Sequence, residues 1–329
     1  MAMVDTALDF RLLNEFQRDF PLCSAPFAEL ASRLGVAEGT VLRVLEALRR
    51  EGKIARVGAV FAPKRIGAST LAAMALPPEK LSLVAEVVNR FPEVNHNYER
   101  EHRYNLWFVV TAGSQGRLQA ALGAIEQAAG WPLLRLPLLQ EYHIDLGFSL
   151  DGQGAKPSAG TTVRSHAFVP PVPLAEDDRR LVMVLQEGLP LFIRPFSVLA
   201  SRLGCEESEV LERIRHWCAE GIIKRFGVIV RHHELGYTAN AMLVHDIPDA
   251  EVDQVGERLA RAPGVTLCYQ RPRRLPEWRY NLFCMIHGQA RSRVEATIED
   301  LRTRLELTDY PCDTLFSLTR FKQGGARYA

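Results

Sequence analysis

One short run constrains this chain more than any other: Leu30-Ala-Ser-Arg-Leu-Gly35 returns 169 residues later as Leu199-Ala-Ser-Arg-Leu-Gly204. Glu51-Gly-Lys-Ile-Ala-Arg56 returns at the same spacing as Glu220-Gly-Ile-Ile-Lys-Arg225, Gly58 matches Gly227, and Gly67 matches Gly236. Further on, Arg103-Tyr-Asn-Leu106 is answered by Arg279-Tyr-Asn-Leu282 at a spacing of 176, because the second copy gains residues around Arg273–Glu277. The chain is a tandem duplication, so one fold is used twice. Two copies also suit a length of 329 residues, which is more than a single core usually organises.

Each copy opens with three helical segments. In the first, Leu8, Leu12, Leu13 and Phe16 recur at helical spacing over Leu8–Phe20. A helix over Phe27–Leu34 stops at Gly35, and a third over Glu38–Glu51 places Val41, Leu42, Leu45 and Leu48 on one face. The extended Ile54–Phe61 reads as a wing, making a winged helix-turn-helix unit that the second copy repeats from Asp178 to Val230. Strand, helix, strand, strand, helix, strand then follow over 70–144, the ferredoxin-like βαββαβ pattern. The fold class is α+β, duplicated. Helix-turn-helix units fall at 1–66 and 176–236, α/β units at 67–150 and 237–329, and a Gly-, Pro-, Ser- and Thr-rich linker at 151–175.

Bulk properties exclude several function classes. A formal net charge of +1 supplies no general attraction to DNA or acidic lipid. No apolar run reaches the roughly 18 residues of a membrane span, and the residues behind Met1 do not build a signal peptide. Six scattered cysteines without a C-x-x-C pair argue against structural zinc and a disulfide framework, and fit a reducing cytoplasm. The third helices open with Val36-Ala-Glu-Gly-Thr40 and Cys205-Glu-Glu-Ser-Glu209, which lack the cationic or amide side chains that read DNA. DNA is therefore not the expected partner.

The segment His96-Asn-Tyr-Glu-Arg-Glu-His-Arg-Tyr-Asn-Leu-Trp-Phe108 is unusually polar for a strand pair. With Glu101-His102 as a two-residue turn, alternation puts His96, Tyr98, Arg100, Arg103, Asn105 and Trp107 on one face. Tyr104, Leu106, Phe108 and Val110 take the other, under the helices. The second copy's equivalent free face carries Tyr269, Arg271, Arg279, Asn281, Phe283, Met285 and His287. A duplicated fold should form an internal pseudo-dimer whose free faces look toward one another. The copies differ in their histidines: His96 answers to Leu267, and His287 to Thr111. Divergence of this kind suits one productive site and one degenerate one.

A helix-turn-helix followed by a ferredoxin-like domain resembles the Lrp/AsnC transcription factors over nearly the whole chain. His96-Asn-Tyr-Glu-Arg100 with Tyr104-Asn-Leu-Trp-Phe108, and Tyr280-Asn-Leu-Phe283 with Met285-Ile-His-Gly288, resemble the two subunit types of siroheme decarboxylase, here fused. The resemblance implies removal of carboxyl groups from siroheme acetates on the way to haem or d-type haem. No added cofactor is implied, since the conjugated macrocycle accepts the electrons left by carbon dioxide and iron arrives with the substrate. His96 and His287 become the proton donor and a polar partner or iron ligand, in either order. Arg100, Arg103, Arg271 and Arg279 clamp carboxylates, Tyr98, Tyr269, Asn105 and Asn281 orient them, and Trp107 and Phe283 offer flat apolar surface. Arg103 and Arg279 equally suit solvated hairpin ends, and Trp107 and Phe283 a packed interface. A ligand-responsive regulator and a non-catalytic tetrapyrrole sensor or carrier are the alternatives on the same fold. Further homo-oligomerisation is compatible with either.

Overall fold

The computed structural model describes residues 6–144, 172, 174–326 and 328, so the expected linker lies largely outside the described residues. Copy 1 runs α1 (Thr6–Glu15), α2 (Pro26–Leu34), α3 (Glu38–Arg50), β1 (Ile54–Phe61), α4 (Pro63–Ile66), β2 (Ala68–Met74), α5 (Pro78–Asn89), β3 (Val94–Arg100), β4 (Leu106–Ala112), α6 (Gln115–Ala129), β5 (Leu134–Pro137) and β6 (Gln140–Ile144). Copy 2 runs α7 (Glu176–Glu187), α8 (Pro195–Leu203), α9 (Glu207–Ala219), β7 (Ile223–Val230), a 3-10 turn (His232–Leu235), β8 (Ala239–His245), α10 (Val252–Ala260), β9 (Val265–Gln270), β10 (Leu282–Gly288), α11 (Arg291–Arg304) and β11 (Cys312–Gln323). Among the described residues, no helix is long and apolar enough to cross a membrane.

The two helix-turn-helix units share one apolar core, in which Leu12, Phe27 and Leu45 of copy 1 pack with Val182, Phe196 and Ile214 of copy 2. The extended segment after each third helix is not a self-contained wing. A lone strand leaves its N–H and C=O groups unpaired, and here β1 and β7 satisfy one another as an antiparallel pair centred on Gly58 opposite Gly227. The recurrence of these glycines has a steric cause: a Cβ on Gly227 would lie 2.5 Å from the Phe16 and Gln17 carbonyl oxygens. That approach lets Val228 N–H donate to Phe16 O at 2.8 Å. Helix α1 ends five residues short of the expected Phe20, and the chain turns through Asp19 at φ 53°, which leaves both Phe16 and Phe20 buried.

Both α/β units show the ferredoxin-like strand order, β5-β2-β4-β3 and β11-β8-β10-β9. They are joined into one nine-stranded sheet, β5-β2-β4-β3-β11-β8-β10-β9-β6. Strand β11 has twelve residues against seven in β8. Its first part pairs with β8 from Cys312 to Phe316, and the remainder pairs with β3 of copy 1. Reciprocally, β6 leaves copy 1 and pairs with β9 of copy 2. Each crossing strand covers the edge that β3 or β9 would otherwise expose. The outer faces carry helices over Ala72, Leu106 and Phe108 in one copy and Ala241, Leu243 and Leu282 in the other. The inner faces meet in a shared cluster including Leu71, Trp107, Met242 and Phe283, which is the facing arrangement the duplication predicts.

Candidate functional site

The β3–β4 connection is longer than the two-residue turn expected. Tyr98 lies opposite Trp107, and Arg100 N–H donates to Asn105 O at 2.8 Å, leaving Glu101–Tyr104 as the loop. The register moves by two residues, and an even shift preserves which side chains share a face. His96, Tyr98 and Arg100 therefore still point to the inner side with Trp107. A bulge between Val94 and His96 returns Val94 to the helix-covered core while keeping His96 opposite Val109.

The crossing strand builds the site. Gln323 of β11 lies opposite His96, Arg320 opposite Tyr98, and Ser317 opposite Arg100. From copy 2, His287 on β10 lies opposite Asn240 on β8. A cavity of about 90 Å³ opens among Tyr98, Tyr237, Thr238, Asn240, His287, Ser317, Leu318, Arg320 and Gln323. A second of about 160 Å³ adjoins it, lined by Arg231, Arg320, Phe321, Lys322 and Gln323. Arg320 and Gln323 belong to both walls. His96 stands beside the smaller cavity, its ring 6.3 Å from that of Tyr98.

Arg100 has an unusual environment. It is buried, donates to Leu315 O at 2.9 Å and Asn240 Oδ1 at 3.4 Å, and has no carboxylate partner among the described residues. Desolvation pushes its guanidinium down to about 10. Burying a cation without a counter-charge is costly. His96 keeps a little solvent contact but is ringed by protein, and desolvation holds its imidazole down to about 4. Its Nδ1 lies 3.2 Å from Asn95 Oδ1. Thr266 Oγ1 lies 3.0 Å from Met285 O and 2.9 Å from His287 Nδ1; when its single proton goes to the carbonyl, that nitrogen is the donor. In a neutral imidazole the other nitrogen, Nε2, then carries the lone pair.

The remaining expected site residues are placed elsewhere. Trp107 and Phe283 are buried in the inter-sheet core around Trp278, with ring centroids 5.2 and 6.0 Å from it, so neither presents a face to the cavities. Tyr269 stacks on Phe283, and Arg271 sits 4.6 Å above Tyr269 and donates to Leu136 O. Asn105 clasps the backbone of Leu76 through both amide atoms, at 3.0 and 2.8 Å. Asn281 clasps Ile247 in the same way, at 2.9 Å twice. The repeated Arg-Tyr-Asn-Leu motif is thus a structural clasp on the loop that follows the first strand of each α/β unit. Arg103 is exposed in the hairpin loop, and Arg279 pairs with Asp246 at 2.9 Å. Tyr104, expected under the helices, packs instead in the inter-sheet cluster because it falls in the loop rather than on β4.

Sequence reasoning missed Arg320, Asn240, Tyr237 and Arg231. The legible signal was the length of β11, too great for its own sheet and carrying Arg320 and Lys322 beyond it. Lys322 itself donates to Asn89 O and Phe91 O at 2.8 and 3.0 Å, closing the end of α5. Among the described residues, no group of three or more His, Cys, Asp or Glu side chains is placed to hold a metal ion.

Comparison with known proteins agrees with this architecture. A siroheme decarboxylase NirDL-like helix-turn-helix domain model matches residues 9–54 and 178–224, and an AsnC-like ligand binding domain model matches 65–143 and 234–322. The siroheme decarboxylase NirDL subunit of Paracoccus denitrificans (strain Pd 1222) is 43% identical over 323 residues, covering 98% of this chain and 97% of its own length. The siroheme decarboxylase NirL subunit of Stutzerimonas stutzeri is 51% identical over 150 residues, 46% of this chain and 88% of its own length. A crystal structure of siroheme decarboxylase NirDL with an iron-uroporphyrin III analogue superposes with a TM-score of 0.70 at 28% identity, covering 97% of this chain and 93% of that one. The chain belongs to the family of NirDL-type siroheme decarboxylases.

Proposed function

We infer that this protein is a carboxy-lyase that removes carboxyl groups from siroheme acetates to give didecarboxysiroheme, in haem or d-type haem formation in the cytoplasm. The observation that carries this reading is a cavity lined by both copies, with Tyr98 from one and Asn240 and His287 from the other; His96 and Arg100 flank Tyr98 on β3, and Arg100 donates to Asn240. The related solved structure is a complex with an iron-uroporphyrin III analogue. Loss of carbon dioxide from an acetate on a pyrrole carbon leaves an electron pair on the methylene, which the macrocycle absorbs until a proton arrives. The chain must supply anchoring charge, orientation and that proton.

Arg100 and Arg320 are the carboxylate-binding groups of this site, and Tyr98 and Asn240 orient the bound carboxylate. His96 and His287 are the proton donor and its partner, one of them also able to ligate the substrate iron through an imidazole nitrogen. His96 is neutral in the free protein, and substrate carboxylates close by raise its basicity, so proton uptake accompanies binding. No added cofactor is required; the iron is part of the substrate. The pseudo-symmetric region is the degenerate one. Strand pairing puts Leu267, opposite Ile144, where the first region has His96 opposite Gln323, and Glu141 where it has Arg320. Thr111, opposite Ser69, takes the place of His287 opposite Asn240. Tyr269 and Arg271 there are packed into the core.

DNA recognition is the weaker reading, because α9 opens with Glu207 and Glu209 in its first turn. Anaerobic incubation with siroheme, followed by mass analysis, tests the proposal: conversion of acetate to methyl is expected. His96→Ala and His287→Ala should each lower the rate by on the order of 100-fold or more. Full activity in either variant removes that histidine from the mechanism.

A further inference from the structure

Arg320 is the cation shared by the two cavities, and in the free protein it is already engaged. Its guanidinium lies 2.7 Å from Glu234 and 3.1 Å from Gln323 Oε1. Glu234 belongs to the 3-10 turn His232–Leu235, which connects the second helix-turn-helix unit to its sheet, and it lines neither cavity. Among the described residues the cavity walls carry no carboxylate, while Arg231, Arg320 and Lys322 supply cations. Glu234 therefore reaches the shared arginine from outside the walls.

This pair is not a relic of the duplication. Opposite Tyr269, where symmetry with Tyr98 would place another arginine, stands Glu141, which pairs with Lys224. The position 169 residues before Glu234 is Arg65, which donates to Glu220 O. Both charges are reversed in copy 1, so the Arg320–Glu234 contact exists only beside the region with both histidines. Its side chains retain 31% and 35% of their exposure. An ion pair that wet contributes little, and an arginine fork prefers a carboxylate that meets it bidentately.

We propose that Glu234 is a built-in stand-in for a ligand carboxylate: it occupies Arg320 in the free protein, and a carboxylate of the bound tetrapyrrole displaces it, releasing the His232–Leu235 turn from β11. The proposal deepens the tetrapyrrole reading above and rests on it. Glu234 is then an internal competitor whose charge lowers affinity for polyanionic substrates and biases the site toward ligands able to give Arg320 a better partner.

The test is an anaerobic absorbance titration with iron-uroporphyrin III of the full-length wild type, Glu234→Gln, Arg320→Gln and the double variant, with unfolding temperatures recorded to verify folding. Glu234→Gln should bind about three-fold tighter, the scale of a wet ion pair removed. Arg320→Gln should bind about ten-fold or more weakly, the scale of a charge-assisted hydrogen bond lost. The double variant should match Arg320→Gln, because Glu234 acts only through that arginine. Unchanged or weaker binding by folded Glu234→Gln overturns the proposal, as does a double variant tighter than Arg320→Gln, or Arg320→Gln binding like the wild type. If the wild type binds no iron-uroporphyrin at all, the site reading itself fails, which is distinct from wild-type binding that Glu234 does not influence.

Discussion

At the scale of single residues, the site is marked by side chains whose surroundings suit a ligand better than they suit the fold. Arg100 is buried without a carboxylate partner among the described residues. Replacing it with Met relieves the desolvation of the charge but removes the donor to Leu315 O, two opposing effects of similar size. Arg100→Met should therefore unfold close to the wild-type temperature while losing tetrapyrrole affinity by about ten-fold or more. A parallel loss of stability would mark Arg100 as structural. His245 is a different case: it is fully buried, neither ring nitrogen has a hydrogen-bond partner, and Arg302 adds repulsion. Burial holds its imidazole down to about 4. Between that value and the ordinary 6.5, the unfolded chain binds the extra proton and the folded one does not, so stability falls as pH falls through this window. His245→Met imports the residue at the end of β2, Met74, and should flatten the acid limb by up to about 3 kcal/mol. Thermal unfolding from pH 7 to pH 4 reads this directly.

At the scale of elements, the repeated Arg-Tyr-Asn-Leu motif had the composition of a binding site and proved to be a clasp. Asn281 holds Ile247 N–H and O with its side-chain amide. Asn281→Ala leaves the buried Ile247 N–H unpaired, while the Ile247 carbonyl keeps its Arg273 donor, and should cost about 1–3 kcal/mol. The remaining folded protein should keep its turnover per molecule, whereas a ligand-orienting role predicts lost turnover at unchanged stability. Chemical denaturation and activity on the same samples separate the two. Alternation along β3 and β4 was legible from sequence despite the wrong turn, because an even change of register leaves the faces unaltered. Arg320 was not legible in the same way: its position depends on which strand β11 lies beside after Phe316, a matter of pairing at long range.

At the scale of the whole molecule, β6 and β11 each complete the other copy's sheet, and the helix-turn-helix units share one core. Association of the halves should not depend on the covalent link. Cutting the chain within 151–171 should leave one particle of unchanged size on gel filtration under native conditions, holding both fragments. Fragments that separate without denaturant would show that the exchanged strands contribute little. The proposed productive region lies between halves, so activity should survive the cut and be lost by either half alone.

Sequence by itself determined the duplication, the element types, the ferredoxin-like strand order, the polarity of each sheet face and the unequal histidines. All of these depend on local periodicity and on comparing the chain with itself. Tertiary structure alone decided that Tyr98, the neighbour of His96, lines the same cavity as His287, that Trp107 and Phe283 fill the core, and that Arg320 joins that cavity wall. The physical reason is the exchanged strand: β11 covers the β3 edge because exposed ladder groups need partners. That pairing joins residues more than two hundred positions apart, from opposite copies, which no local pattern encodes.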